Sequence, residues 1–109
     1  MDTENFNRLA EEMLDRISSN LEVKATTDYA VETDRLFNFH AAAPLLGSAE
    51  QACLAYATKH YLSIAKLVQD GKPVSKELAL EKLGDLATYM VLLYAIMQER
   101  ANDVPRQGD

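Results

Sequence analysis

Tryptophan is absent from this 109-residue chain, cysteine occurs once, proline three times and glycine four times. A single cysteine excludes an intrachain disulfide and the paired thiols of a zinc site, and it makes a reducing compartment the natural setting. Cys53 sits among Ala52, Leu54 and Ala55, so it reads as a small buried hydrophobe beside the sharper reading of a thiol nucleophile. No Gly-rich phosphate loop and no nucleophile elbow are found. Long hydrophobic runs are also missing. The most apolar stretch, Leu86 to Met97, is interrupted by Thr88, Tyr89 and Tyr94 and falls short of the roughly twenty residues that span a bilayer. The N-terminus carries Asp2, Glu4, Glu11 and Glu12 where a secretory leader would carry a basic and then an apolar segment, so a cytoplasmic location is expected. Positive charge is scarce: eleven Lys and Arg stand against seventeen Asp and Glu, a formal net charge of -6. A field of that sign repels nucleic-acid backbone and anionic membrane, and neither is expected as a partner.

What is present is helical periodicity. The length fits one domain, expected over residues 1–101 with a fraying tail at 102–109. Phe6, Leu9, Met13, Leu14 and Ile17 recur at three- and four-residue steps, which predicts an amphipathic helix from Thr3 to about Leu21. The periodicity fails between Glu22 and Thr33, where a connection anchored by Tyr29 is expected. Thr33 or Asp34 can cap a second helix ending at Pro44 or Leu46. Gly47 supplies its stop, and Ser48 with Gln51 makes the capping pair that opens a third helix over Ala49 to about Asp70. Gly71 to Val74 break it, and Ser75 caps a fourth helix reaching about Ala101. The expected class is all-α, a bundle of four to five helices. The fourth helix is apolar nearly all round: Leu83, Leu86, Met90, Leu93 and Met97 form one stripe, with Leu80, Ala87, Val91 and Tyr94 beside it. Such a helix needs neighbours on several sides, so a dimer through the third and fourth helices, or a higher oligomer, is expected.

Three constellations carry chemistry. Glu81 and Asp85 share a face of the fourth helix, with Tyr89 one turn on; paired carboxylates at this spacing hold Mg2+ or form an ordinary solvated stripe. Asp34 and Asn38 lie one turn apart, beside Phe39 and His40. An amide offers donor and acceptor to a ligand, while Asp34 is equally well explained as an N-cap. His40 is a candidate metal ligand or general base, but a lone histidine beside Phe39 and Ala41 is more often a packed or surface residue. Lys59, Ser63 and Lys66 line the third helix next to His60, either as phosphate-neutralising cations or as an exposed polar face.

Taken in order, Lys24, Asp28-Tyr29-Ala30, Phe37-Asn38-Phe39, Lys59 and Glu81-x-x-x-Asp85 with Tyr89 resemble the small phage and prophage helical proteins related to the MazG-like, all-α nucleoside triphosphate pyrophosphohydrolases, a nucleotide-modification-associated branch. The resemblance spans roughly residues 20 to 100. It implies Mg2+-dependent hydrolysis of a nucleoside triphosphate to monophosphate and pyrophosphate, with Glu81 and Asp85 on the metal, Lys59 steadying phosphates, and Tyr29, Asn38 and Tyr89 contacting substrate. Active members resemble one another in a Glu-Glu-x-x-Glu run followed by Glu-x-x-Asp on the next helix. Here Lys82 stands where the glutamate of the second motif would be, the second helix has no Glu-Glu-x-x-Glu, and Glu11, Glu12 and Asp15 lie about seventy residues upstream of the acidic pair. The competing expectation is a non-catalytic interaction protein, such as a phage-encoded modulator of a host protein, on a retired hydrolase-like fold.

Overall fold

The computed structural model describes residues 1–23 and 35–101, and among them it holds α-helices and no strand. Helix α1 runs Thr3–Val23, α2 Phe37–Leu46, α3 Ala49–Asp70 and α4 Lys76–Ala101. Tyr29, Thr33 and Asp34 lie outside the described residues.

Local chemistry sets the boundaries. Asp2 Oδ1 accepts the Asn5 amide at 2.8 Å, Ser48 Oγ the Gln51 amide at 3.1 Å and Ser75 Oγ the Leu78 amide at 3.2 Å, so three helix starts satisfy a first-turn donor with a side chain. Helix α2 differs, beginning with Leu36 at its N-cap and no side-chain cap bond. Its hold comes instead from burial of Leu36 and Phe39 in the core. Gly71 closes α3 with φ at +68°, the left-handed conformation that glycine adopts without a Cβ penalty.

The helices pack in series: the backbone of α1 lies close to α4, α4 to α3 and α3 to α2 among the described residues, and side chains of α2 also reach α4. Glu12 meets Lys76 and Asn20 meets Asp85 and Thr88, so α1 and α4 run parallel. Glu50 meets Arg100 and Cys53 meets Tyr89, so α3 and α4 run antiparallel. A mid-helix glycine marks the α1 seam: a Cβ on Gly84 would fall 2.9 Å from Arg16 Cγ, and the bare backbone lets the arginine stem lie close. The core is small: Leu36, Phe39, Ala49, Ala52, Cys53 and Ala57 meet Tyr89, Leu92, Leu93 and Ile96.

Of the two apolar stripes read along α4, only Leu93 is buried. Leu83, Met90, Val91, Tyr94 and Met97 stay exposed on the side away from Gly84, Thr88, Leu92 and Ile96. Helix α3 adds exposed Leu54, Tyr61 and Val68, and Val68 and Leu83 line one apolar groove of about 300 Å³. The intrachain core thus uses one side of the α3–α4 pair, because α1 and α2 between them cover no more than that.

Candidate functional site

Helices α2, α3 and α4 converge on an open cleft of about 470 Å³ lined by Asn38, Ala41, Ala42, Tyr56 and Tyr89. Asn38 and Tyr89, selected in the sequence from different helices, therefore face one space. Their placement follows from the core. Phe39 is 1% exposed and anchors α2, which turns its neighbour Asn38 to the rim. The Phe39 ring stands 5.7 Å from Tyr56 and 6.4 Å, edge-on, from Tyr89. The His60 ring lies 5.2 Å from Tyr89 on the same aromatic row.

A polar cluster adjoins this row. His60 Nδ1 is 3.9 Å from Asp85 Oδ2, too long for a direct hydrogen bond. Asn20 Nδ2 donates to Thr88 Oγ1 at 3.2 Å and reaches Asp85 Oδ1 at 3.5 Å. Asp85 is therefore half-buried, flanked by an amide from α1 and an imidazole from α3. Glu81 lies one turn earlier with its side chain 53% exposed and Lys82 Nζ 4.0 Å away. Lys59 is exposed on α3 and stands outside the residues that line the cleft.

Tyr56 and Asn20 carry parts of this site that periodicity did not single out. The signal for Asn20 lies in the α1 stripe itself, because a three-residue step from Ile17 lands on an amide where the pattern asks for an apolar side chain. Tyr56 is one turn before His60, and only the fold shows that it meets Phe39.

Cys53 is fully buried, and its thiol donates to the Tyr89 carbonyl at 3.4 Å. Burial pushes its pKa up to about 11, so it is a core residue and the wrong species for nucleophilic attack. His40 is packed as well. Its Nε2 lies 2.8 Å from Glu99 Oε1 without the geometry of a hydrogen bond. Among the described residues no group of three or more His, Cys, Asp or Glu side chains converges as a metal cage. No described helix is long and apolar enough to cross a membrane. No family model matches the chain, and no curated protein or solved structure matches it either.

Proposed function

We propose that the protein is a MazG-like, nucleotide-binding helical protein of the phage type, a Mg2+-dependent nucleoside triphosphate pyrophosphohydrolase working as a homodimer. The observation that carries this reading is the shared cleft of Asn38 and Tyr89, with Asp85 beside the same aromatic row. A nucleotide needs a site for its base near a site for its charge; the aromatic row suits the first, and Asp85 with Glu81 would serve the second through a bound cation.

The donor set is compatible with magnesium to a defined extent. Glu81 and Asp85, one turn apart on α4, offer two carboxylates, and Mg2+ is commonly held by one or two carboxylates together with substrate phosphates and water. Bound there, the ion would neutralise charge developing on the phosphates. The chain's own side chains do the rest: Asn20 and His60 hold Asp85 in place, Asn38 and Tyr89 orient the base or sugar with Tyr29, and Lys59 steadies phosphate as a point charge. Water is the nucleophile.

The apolar side of α3 and α4, exposed among the described residues, supports the dimer. Exposed Leu83, Met90, Tyr94 and Met97 exceed the scattered apolar residues of an ordinary monomer surface, and a second α3–α4 pair would close them into a four-helix layer. The same observation favours a second reading, a non-catalytic interaction protein that presents this face to another protein. The experiment that separates them is pyrophosphate release from ordinary and modified nucleoside triphosphates with Mg2+ or Mn2+, beside Asp85→Ala. Release that disappears in the variant supports the hydrolase. Absence of release from every substrate, with no thermal stabilisation by nucleotide and metal, leaves the interaction protein.

A further inference from the structure

Among the described residues, the lining of the 470 Å³ cleft carries no ionisable acid or base other than tyrosine hydroxyls. It offers two aromatic rings, one amide and two methyl groups, which suits a neutral planar heterocycle and gives a phosphate no counter-charge. The aromatic surfaces are pre-set. The Tyr56 ring leans on the buried Phe39 at 5.7 Å, yet the residue keeps 37% of its surface open. Tyr89 is held by Phe39 edge-on and by His60 at 5.2 Å. Rings fixed in this way lose little freedom when a base stacks on them. Ala41 and Ala42 form the α2 wall, and the cleft exists because both side chains end at Cβ.

We infer that Tyr56, with Asn38, forms a base-binding subsite that takes a nucleoside without phosphate or metal: Tyr56 supplies the stacking face and the Asn38 amide reads the donor and acceptor edge of the base. This deepens the nucleotide reading and rests on it for the identity of the ligand. Tyr56 then supplies the affinity and Asn38 the discrimination among bases, and the carboxylates Glu81 and Asp85 would add affinity only for phosphorylated ligands and only through a bound cation.

The test is saturation-transfer NMR on the full chain with adenosine, guanosine, cytidine and thymidine, and separately with inorganic phosphate, all in EDTA. At least one nucleoside is expected to bind, and phosphate is not. Tyr56→Leu is expected to weaken nucleoside binding about tenfold or more, the scale of one lost base–aromatic stack, while Tyr56→Phe retains it. Ala41 is exposed, so Ala41→Leu fills the cleft without entering the core and is expected to block binding with circular dichroism unchanged. Failure of every nucleoside to bind, or unchanged binding by both Tyr56→Leu and Ala41→Leu, overturns the subsite. Pyrophosphate release without nucleoside binding removes the subsite and leaves the hydrolase; nucleoside binding without release keeps the subsite and removes the hydrolase.

Discussion

Asn20 and Thr88 join α1 to α4 through a relay of two hydrogen bonds: Asn20 Nδ2 donates to Thr88 Oγ1 at 3.2 Å, and Thr88 donates to the Gly84 carbonyl at 2.7 Å. Thr88 is fully buried, so its hydroxyl has protein partners in place of water. The same amide touches Asp85, and the seam that holds α1 is continuous with the candidate site.

Replacing Thr88 by valine keeps the shape and deletes the relay. The Asn20 amide then loses the nearer of its two acceptors and keeps only the longer reach to Asp85, and a loss of about 1–2 kcal/mol is expected, read from the midpoint of urea unfolding. A neutral outcome would mean that water replaces the hydroxyl at the seam.

Gly84→Val places a branched side chain where even a Cβ falls 2.9 Å from Arg16 Cγ. Overpacking of this kind costs about 1–3 kcal/mol, more than the helix propensity gained over glycine. The expected signature is a lower Tm together with faster proteolysis within α1 than within α3.

Cys53 is expected to resist a disulfide reagent at pH 8 in the folded protein and to react at once in denaturant. A thiol pushed up to about 11 offers little thiolate, and its sulfur is fully covered. Equal labelling rates with and without denaturant would contradict the burial.

The Arg100 guanidinium, donating to Glu50 Oε2 at 2.9 Å, holds the Glu50 carboxyl below the ordinary value of 4.5. A depressed carboxyl contributes stability that is present above that ordinary value and is lost as pH falls through its lowered folded value. Arg100 is largely exposed, so the contribution is about 0–1 kcal/mol and screened by salt. Arg100→Gln should therefore lower Tm slightly at pH 7 and leave it unchanged near pH 2.

Met90→Glu puts a charge in the middle of the bare α4 face. Sedimentation should show the parent chain as a dimer and the variant as a monomer with the same helical content. A monomeric parent at working concentration would remove the dimer.

The start and stop of α3 and the start of α4 are legible in the residues because their signals are local: Ser48, Gly71 and Ser75 act within a few residues of themselves. Helix α2, in contrast, starts later than Thr33 or Asp34 would cap it, at Phe37 behind an uncapped Leu36 set by burial. Packing order was not legible. Nothing in the spacing of Leu86, Met90 and Leu93 says which of them faces α3, and the structure buries Leu93 while leaving Met90 outside. Of the candidate site, the meeting of Asn38 and Tyr89 depends on Phe39 seating α2 against α3 and α4, a contact across fifty residues of chain that no local pattern encodes. Glu81 and Asp85 share a face as their spacing requires, but how unevenly they are buried depends on where α1 and α3 lie.

Serial packing also divides the molecule into parts of unequal permanence. Among the described residues α1 packs its backbone closely on α4 alone and α2 on α3 alone, while side chains of α2 reach α4 through Phe39–Tyr89 and His40–Glu99. Amide exchange should accordingly be fastest in the exposed first turns of α1, intermediate in α2, and slowest where Cys53 abuts the Tyr89 turn. The cleft lies between the long α3–α4 pair and the ten-residue α2, so exchange at the α2 amides reads how firmly Phe39 holds the cleft's third wall.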